Sequence, residues 1–547
     1  MAEIAYSSGP SSVGLIGETI GENLERVAAR HRDEEALVVP FQNVRLTYAE
    51  FNDEVDRYAR ALLSLGLAKG DRVGMWSPNS AEWVLVQYAT GKLGVILVNI
   101  NPAYRTSEVQ YALAQSGCRV VIAATNFKTS DYIAMIREVS PSLPDLERAI
   151  FVGTPEWEAL LAAADSVNVE ALRERMASLE CDDPINIQYT SGTTGFPKGA
   201  TLSHHNILNN GWFTGEGCRY TEKDRVCIPV PFYHCFGMVV GNLACTTHGA
   251  TIVVPAPSFD ALATLKTVEA ERCTSLYGVP TMFIAELAHP EFRSLDLSSL
   301  RTGIMAGSSC PIEVMKQCID EMHMAEVTIC YGMTETSPVS TQTGVDDALD
   351  NRVGTVGRVH PFVEVKVIDP VSGATVRRGE SGELCTRGYS VMLGYWNDPA
   401  KTADAIDNGG WMHTGDLATM DDDGYLKIVG RIKDMIIRGG ENVYPREIEE
   451  FLYTHPDIID VQVIGVPDVR YGEEIMAWVQ VREGATLTRD ELAQFCSGRI
   501  AHYKVPRYVH VVSEFPMTVT GKVQKYKMRE VAIELLGLQA AAAVQTA

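Results

Sequence analysis

The chain lacks the cysteine patterns and long apolar runs of secreted, zinc-binding or membrane-spanning proteins. Its 12 cysteines are scattered, and no two stand closer than the eight positions between Cys227 and Cys235. Without a CxxC pair there is no zinc or redox spacing, and a reducing compartment is expected. The most apolar segments, such as residues 94–100, fall far short of the roughly 18 residues of a membrane helix. The N-terminus resembles neither a signal nor a transit peptide, so we expect a soluble, cytoplasmic protein without an integral membrane segment.

Positive charge is also scarce. The 47 Lys and Arg residues face 70 Asp and Glu residues, which gives a formal net charge of −23. Such a surface repels nucleic acid and anionic membranes, so we expect no nucleic-acid partner. Anionic small molecules can bind only where backbone dipoles or a few cations converge.

The order of predicted elements indicates an α/β protein of several domains, as its 547 residues require. Helical periodicity from Leu46, a buried strand at 72–76, a strand at 95–99 and a helix at 107–117 alternate in βαβα order, which predicts a parallel sheet. Further strands predicted at 227–230, 250–255, 275–280 and 302–307 predict a second sheet of the same class. Shorter β-rich runs follow Gly357, and a small α+β unit follows Arg431. We therefore predict two domains, 1–430 and 431–547.

The segment 189–199, YTSGTTGFPKG, has the composition of a phosphate-binding loop. Its glycines allow tight turns that bring N–H groups together, its hydroxyls add donors and its lysine adds a charge. The residues concerned are Thr190, Ser191, Gly192, Thr193, Thr194, Gly195, Lys198 and Gly199. Because Gly199 follows the lysine where a P-loop has Ser or Thr, the loop differs from that of ordinary NTPases.

Six motifs in order resemble the adenylate-forming superfamily, which contains acyl-CoA synthetases, adenylation domains and beetle luciferases. They are YTSGTTGFPKG (189–199), PFYHCFG (231–237), YGMTETSP (331–338), GWMHTGDLA (410–418), YLKIVGRIKDMIIRGGENVYPREIE (425–449) and PMTVTGKVQK (516–525). The detailed sequence is most similar to medium-chain fatty acyl-CoA synthetases. The resemblance implies a large N-terminal domain, with two parallel-rich α/β subdomains and a small β subdomain, and a small mobile α+β C-terminal lid domain.

The resemblance also implies a two-step reaction in which a carboxylic acid attacks the α-phosphate of ATP and the acyl-AMP then passes its acyl group to coenzyme A. The loop from Thr190 to Lys198 would hold the β- and γ-phosphates. Tyr331 would lie against adenine, Thr334 on the α-phosphate and Glu335 on Mg²⁺, since a carboxylate suits this hard cation.

The remaining implied roles belong to the ribose, the lid and the acyl entrance. Asp416 would accept hydrogen bonds from both ribose hydroxyls, and Arg431 would be a second ribose or phosphate contact. Lys522 would reach from the lid to the α-phosphate and stabilise the developing charge. His234 would stand beside the acyl entrance, and a hydrogen-bonded core histidine is an equal reading of that residue. The lid would rotate about Lys433 between the two steps, after which Gly439 and Gly440 would leave room for a pantetheine arm; a plain Gly-Gly turn is an equal reading of those two residues.

The acid and the acceptor are less well defined by the sequence. PFYHCFG has no aspartate to pair with a substrate ammonium, so an amine-free acid is expected. Candidates for an apolar acyl pocket are Phe232, Phe236, Met238, Val239, Ile304, Met305 and Met333. Medium chain length follows from the resemblance alone, and short-chain, aryl and long-chain acids stay open. Since about twenty-five residues follow Lys522, too few for a carrier domain, free CoA is the expected thiol.

Three alternatives stand beside this prediction. A separate acyl carrier protein could accept the acyl group, an oxidising luciferase is a more distant reading, and a catalytically silent nucleotide-binding protein is a hypothesis from another class. Loss of Lys522, Glu335 or a loop residue would favour the silent protein, and all of them are present. The sequence leaves open whether the enzyme is a homodimer.

Overall fold

A computed structural model describes residues 3–190, 197–439, 441–518 and 521–542. Its strands, in chain order, are β1 Tyr6–Ser8, β2 Glu35–Val39, β3 Val44–Thr47, β4 Arg72–Trp76, β5 Ile96–Asn99, β6 Val120–Ala123, β7 Asn126–Phe127, β8 Ser130–Asp131, β9 Arg148–Phe151, β10 Pro184–Thr190, β11 Lys198–Ser203, β12 Arg225–Cys227, β13 Thr251–Val253, β14 Ser275–Gly278, β15 Thr302–Ala306, β16 Glu326–Gly332, β17 Val339–Gln342, β18 Arg358–Val359, β19 Val363–Ile368, β20 Gly382–Gly388, β21 Gly394–Tyr395, β22 Met412–Met420, β23 Leu426–Arg431, β24 Ile436–Arg438, β25 Glu441–Val443, β26 Ile458–Asp468, β27 Gly472–Val481 and β28 Tyr508–Val511.

The α-helices connect and cover these strands. They are α1 Ile20–Arg30, α2 Tyr48–Leu63, α3 Ala81–Leu93, α4 Thr106–Ser116, α5 Tyr132–Val139, α6 Pro155–Ala163, α7 Val169–Ala177, α8 His204–Gly217, α9 Ala244–His248, α10 Ala261–Glu271, α11 Pro280–Leu287, α12 Ile312–Glu321, α13 Leu349–Gly354, α14 Pro399–Ala405, α15 Pro445–Leu452, α16 Arg489–Cys496, α17 Lys525–Leu535 and α18 Gln539–Ala542. A π-helix, Phe236–Leu243, precedes α9 directly.

Local sequence signals account for the start and end of several helices. The Thr47 hydroxyl accepts the Glu50 N–H while the Glu50 carboxylate accepts the Thr47 N–H, which is the predicted capping box of α2. Ser80 caps α3 in the same way through the Trp83 N–H. Helix α4 ends at Gly117, whose φ of 64° favours glycine. The predicted helical segments therefore form where their caps place them.

Two large sheets form the body of the molecule and confirm the parallel-rich α/β prediction. The seven-stranded sheet has the order β21-β11-β10-β5-β4-β6-β9, and the nine-stranded sheet has the order β18-β17-β16-β15-β14-β12-β13-β2-β3. Strands β10, β5, β4, β6 and β9 run parallel, as do β2, β13, β12, β14, β15 and β16. Antiparallel strands lie at the edges of both sheets.

The division of strands between the sheets differs from their order in the chain. The early strands β2 and β3 join the second sheet, where β2 pairs with β13, and β10, which leads into the glycine-rich loop, joins the first sheet beside β5. Pairing over such long separations leaves no local mark in the sequence, so periodicity alone could not predict these partners.

A small antiparallel sheet and a C-terminal α+β unit complete the fold. The small sheet has the order β1-β19-β20-β22-β23, and β1 joins it from the N-terminus by pairing with β19. In the C-terminal unit, β24, β25, β26, β27 and β28 form one sheet, against which α15 and α17 pack. Strand β23 ends at Arg431, the residue at which we predict the second domain to begin.

Candidate active site

The nucleotide end of the candidate site is a contact between the small sheet and the nine-stranded sheet. The Tyr331 hydroxyl, at the end of β16, donates to Asp416 Oδ2 at 2.7 Å. Arg431 Nε donates to Asp416 Oδ1 at 3.0 Å, since Arg431 and Asp416 are direct partners in the β22–β23 ladder. The structure thus brings together three residues that lie 85 and 15 positions apart in the chain.

Asp416 is held in place with acceptor capacity left over. Each of its oxygens accepts one protein hydrogen bond, and an ionised carboxylate offers about four acceptor sites. Burial, with the charge of Asp416, raises the pKa of Tyr331 well above its usual value, so the phenol remains a donor. This arrangement suits a carboxylate that receives ribose hydroxyls, as predicted for Asp416.

Glu335 is the second carboxylate of the candidate site. It lies on the short turn Thr334–Thr336 after β16 and is 4% exposed. The Tyr395 hydroxyl donates to its Oε1 at 2.7 Å, and the Thr190 hydroxyl lies 3.4 Å from the same oxygen. The neighbouring Thr334 hydroxyl accepts from Cys235 Sγ at 3.4 Å. A buried carboxylate with hydroxyls around it fits Mg²⁺, which prefers oxygen ligands.

Tyr395 is a site residue that the sequence reasoning missed. Besides its bond to Glu335, its ring lies under Lys198, whose Nζ is 4.3 Å from the ring centroid. Burial and the adjacent carboxylate raise its pKa above its ordinary value, so it stays a hydroxyl donor. The available signal in the sequence was the position of this tyrosine directly after Gly394 in the stretch 387–402, RGYSVMLGYWNDPAKT.

The two described ends of the glycine-rich loop lie at this carboxylate. Thr190 ends β10 and Lys198 begins β11, and the two are paired in an antiparallel hairpin. Ser191, Gly192, Thr193, Thr194 and Gly195 lie outside the described residues, so their predicted contacts stay predictions. Thr190 nevertheless lies beside Glu335, so a residue predicted for phosphate and the residue predicted for the metal are neighbours.

Lys522 reaches the same region from the C-terminal unit. It lies on a hairpin turn where its N–H donates to the Thr518 hydroxyl at 3.0 Å and Gly521 has a φ of 76°. The Thr281 hydroxyl of the large domain donates to the Gly521 carbonyl at 3.2 Å. The Lys522 side chain passes close to Gly307, where a Cβ would lie 3.6 Å from its Cε. A lid residue therefore enters the large domain beside β15.

The charge of Lys522 is balanced by its surroundings. Burial and the positive charge of Arg431 lower its pKa, while Cys235, Glu335 and Asp416 act in the opposite direction. These five residues therefore share one electrostatic environment. Anionic substrates would add negative charge and favour the ammonium form.

His234 lies next to this lysine and is neutral. Burial, together with the charge of Lys522, lowers its pKa to about 3. Its Nδ1 accepts the Phe236 N–H at 3.1 Å, which turns the ring at the start of the π-helix. His234 therefore stands between Lys522 and the start of the π-helix, and its role at an acyl entrance stays a prediction.

The candidate acyl residues fall into two core clusters. Phe232, Phe236, Met238, Val239 and Ile304 share the largest one, with Met333 packed against it. Met305 points to the opposite face of β15 and packs in another cluster, because neighbouring residues of a strand face opposite sides. Met238 has its sulfur 3.1 Å from the amide nitrogens of both Asn99 and Gln188, so buried amides hold it in place.

Of the two predicted pantetheine residues, the structure describes Gly439, which contacts Tyr471 within the C-terminal unit. Gly439, with a φ of 61°, turns the hairpin from β24 to β25, and its N–H donates to the Tyr471 carbonyl at 2.8 Å. Its neighbour Gly440 lies outside the described residues. Lys433 follows β23, and burial with the charge of Arg431 lowers its pKa. The roles of these residues in a rotated lid stay predictions.

Within residues 3–190, 197–439, 441–518 and 521–542, no helix combines the length and apolar character needed to span a bilayer.

Comparison with known proteins identifies two family models in the chain. Residues 24–396 match the AMP-binding enzyme model, and residues 447–522 match the C-terminal domain of AMP-binding enzymes. The first match alone covers more than half of the 547 residues.

Relatives align over nearly the whole chain. The putative acyl-CoA synthetase YngI of Bacillus subtilis is 49% identical over 543 residues, covering 96% of this chain and 99% of its own. The mitochondrial medium-chain acyl-CoA ligase ACSF2 of Danio rerio is 46% identical, with 98% of this chain and 91% of its own covered. The human ACSF2 is 44% identical, with 96% and 89% covered.

Solved structures share the fold as a whole. The anthranilate CoA ligase AuaEII in complex with anthranoyl-AMP superposes with a TM-score of 0.86 at 27% identity, covering 96% of this chain and 99% of its own. ATP-bound MatB from Rhodopseudomonas palustris gives a TM-score of 0.82 at 29% identity, with 94% and 99% covered. The predicted superfamily, fold and enzyme class are confirmed by these relatives.

Proposed function

Because this chain belongs to the AMP-binding enzyme family, we propose that it is an ATP-dependent fatty acid–CoA ligase that uses medium-chain acids. The observation that carries this proposal is the convergence of Glu335, Asp416, Arg431 and Lys522 around one region bordered by the apolar residues of the π-helix. Charged groups for a nucleotide and a wall for an acyl chain thus meet where a carboxylate can contact the α-phosphate.

In the first step we propose that the fatty carboxylate attacks the α-phosphorus of ATP. An O–P bond forms, the bond to the β-phosphate breaks, and pyrophosphate leaves. Lys522 stabilises the developing negative charge, and Asp416 with Tyr331 positions the nucleoside. Glu335 would hold Mg²⁺, which when bound neutralises charge on the phosphates.

In the second step the thiol of CoA attacks the acyl carbon. A C–S bond forms, AMP leaves with the electrons of the C–O bond, and the thiol proton passes to solvent. His234 is neutral because of its low pKa, so the acyl entrance carries no positive charge at that residue. We propose that the lid, residues 431–547, moves between the steps, because Lys522 occupies the first-step site in this structure.

The medium-chain preference is supported by two kinds of observation. The ACSF2 relatives are named medium-chain acyl-CoA ligases, and the wall formed by Phe232, Phe236 and Val239 is apolar. The site also contains no carboxylate among residues 231–237 that could pair with a substrate ammonium. We also propose a cytoplasmic location, from the composition and N-terminus of the sequence.

The proposal is tested by release of AMP and pyrophosphate with fatty acids from C4 to C18, each with and without CoA. We expect continuous turnover that requires CoA and reaches a maximum at intermediate chain length. A single stoichiometric burst of pyrophosphate that CoA does not restart would contradict CoA as the acceptor and point to a carrier protein. Absence of pyrophosphate with every acid would contradict the ligase itself.

A further inference from the structure

A cluster of metal-ligand side chains lies in the small sheet, outside the residues assigned to the reaction. Cys385 on β20 and His413 on β22 are direct cross-strand partners, and Cys385 Sγ lies 3.7 Å from His413 Nδ1. Glu383, two residues before Cys385 and therefore on the same face, has its Oε2 3.1 Å from the same nitrogen. A sulfur, a nitrogen and an oxygen thus lie within 4.8 Å of one another.

The bulge that carries Asp416 also creates this cluster. The β20–β22 register shifts between Glu383 and Cys385, and Gly415 takes a φ of 69°. The Gly415 N–H donates to Glu383 Oε1 at 3.1 Å, which leaves Oε2 directed at His413. The backbone N–H of Gly415 therefore orients the Glu383 carboxylate, and metal-binding carboxylates are typically hydrogen-bonded in this way.

Two of the three distances between the ligand atoms are close to those around one tetrahedral ion. With metal bonds of about 2.3 Å to sulfur and about 2.0–2.1 Å to nitrogen or oxygen, tetrahedral ligands stand roughly 3.3–3.6 Å apart. The observed 3.1 Å and 3.7 Å are close to these values. A simple Glu–His ion pair would explain the first distance, but not a thiol directed at the same ring nitrogen.

The surroundings supply a carboxylate partner for His413 and a balance of charge for the cluster. Asp407 Oδ2 lies 3.8 Å from His413 Nε2, and its Oδ1 is fixed by the N–H groups of Gly409 and Trp411. A carboxylate behind an imidazole is typical of metal-bound histidines. Lys366 is the partner of Cys385 on β19, so one ammonium and a divalent ion balance the thiolate and two carboxylates.

The burial of the sulfur ligand favours a thiophilic ion over a hard ion such as Mg²⁺. Cys385 is fully buried, while the Glu383 side chain is 12% and that of His413 32% exposed, so solvent reaches the cluster on the histidine side. Sulfur and imidazole ligands select zinc-class ions rather than magnesium. The fourth ligand would be a water molecule on the exposed side.

We propose that Glu383, Cys385 and His413 bind one thiophilic divalent cation of the zinc class. On binding, the sulfur–metal bond replaces the S–H bond, the proton passes to solvent, and no oxidation occurs. Because Gly415 is bonded to Glu383 and is adjacent to Asp416, the ion would stiffen the bulge that presents the ribose-binding carboxylate. The sequence offered no zinc spacing, since these ligands come from two strands.

Titration of metal-free full-length protein with Co²⁺ tests this proposal, because a cobalt–thiolate bond has its own near-ultraviolet absorption. We expect one equivalent of Co²⁺ to produce that band and Zn²⁺ to displace it. Cys385→Ser should remove the band, and His413→Gln should weaken Co²⁺ binding by roughly tenfold or more. Glu383→Gln should weaken it while leaving the band.

The matched control is Cys181→Ser, because Cys181, Asp182 and His205 form the other cysteine-containing cluster among the described residues. This variant should keep the cobalt band. A band that survives in Cys385→Ser, a band lost only in Cys181→Ser, or no band in the wild type would each overturn the proposal. Circular dichroism verifies that each variant is folded. Without added Co²⁺ or Zn²⁺, pyrophosphate release with MgATP should be the same in Cys385→Ser as in the metal-free wild type, which separates this test from that of the ligase.

Discussion

At the scale of single residues, the site is organised by groups that hold a charge rather than groups that exchange protons. Asp416 and Glu335 each accept hydrogen bonds from tyrosine hydroxyls, and burial keeps both phenols protonated by raising their pKa. His234 has a pKa of about 3 for the same reason. The reacting groups of the substrates therefore meet fixed dipoles and one lysine, which suits stabilisation of a charged transition state.

Replacing Lys522 should separate the two half-reactions. We expect Lys522→Ala to lower the rate of acyl-AMP formation by roughly 10²-fold or more, because one preorganised donor at a developing charge typically contributes that much. Thioester formation from supplied acyl-adenylate should change little. Pyrophosphate release and acyl-CoA formation are measured separately, with Lys527→Ala as an exposed lid control. Equal loss of both steps would contradict lid movement.

The Tyr395 hydroxyl should matter for use of MgATP. Tyr395→Phe removes the donor to Glu335 Oε1 but keeps the ring under Lys198. A hydrogen bond to a charged group contributes about 1.5–3 kcal/mol, so kcat/KM for MgATP should fall by roughly 10- to 100-fold. Steady-state kinetics at varied Mg²⁺ measure this. Tyr389→Phe is the control, because the Tyr389 hydroxyl accepts only a 3.4 Å bond from Asn210 among the described contacts. The kcat/KM of this variant should stay near that of the wild type, and a similar loss there would indicate a general packing effect.

At the scale of elements, the site depends on segments that end or bend irregularly. The π-helix Phe236–Leu243 begins just after His234, and all 8 of its residues are buried. The bulge at Gly415 brings Asp416 to the nucleotide end, and the β10–β11 hairpin carries the loop ends. Regular elements support these segments, and the irregular ones present the functional groups.

The start of the π-helix should be sensitive to a single methyl group. A Cβ at Gly237 would lie 2.4 Å from the Pro231 carbonyl oxygen, so Gly237→Ala must displace backbone next to His234. We expect a loss of about 1–3 kcal/mol in the free energy of unfolding and a higher KM for the fatty acid. Denaturation and steady-state kinetics measure both effects.

A second glycine of the same helix is the matched control. At Gly241 the added Cβ would meet the Ile228 side chain at 3.0 Å, and a side chain can move where a carbonyl cannot. Gly241→Ala should therefore cost less stability and leave the KM for the acid closer to that of the wild type. The reverse order of the two variants would contradict the proposed role of the Gly237 contact.

At the scale of the whole molecule, long-range contacts connect the N-terminus, the sheets and the lid. His204, the first residue of α8, accepts the Ile20 N–H of α1 through Nδ1 at 3.1 Å, and Arg446 of the lid donates to the Cys310 carbonyl of the large domain at 2.6 Å. Such contacts join segments that the sequence separates by more than a hundred residues.

The buried His204 should make the protein sensitive to acid. Burial lowers its pKa from 6.5 to about 3, so the folded state binds the proton less well than the unfolded state. Its contribution to stability is complete above pH 6.5 and is lost as the pH falls towards 3, amounting to roughly 4 kcal/mol over that range. About half of this loss, roughly 2 kcal/mol, should appear in the free energy of unfolding between pH 8 and pH 5.

Two variants distinguish His204 from other acid-sensitive groups. His204→Asn keeps an acceptor for the Ile20 N–H but does not titrate, so it should lower stability at pH 8 and flatten its pH dependence below 6.5. His502→Gln alters an exposed histidine and should keep the wild-type slope. An unchanged slope in His204→Asn would assign the acid sensitivity to other groups.

The sequence predicted most elements and the members of the site because those signals are local. The capping boxes, the helix-ending glycine at 117 and the apolar strands depend on residues within a few positions. It did not predict Tyr395 as a partner of Glu335, nor that Met305 faces away from Ile304 into another core, because side-chain direction depends on strand register. The roles of the five loop residues from Ser191 to Gly195 stay predictions.

By itself, the sequence determined the family, the α/β character and the chemistry that the motifs imply, since residue types at short spacings carry that information. Only the tertiary structure decided which sheet receives β2 and β10, that Lys522 enters beside Gly307, and that Glu383, Cys385 and His413 meet. These results depend on pairing between distant segments, whose free energy comes from burial and register over the whole fold and leaves no pattern within any one stretch of sequence.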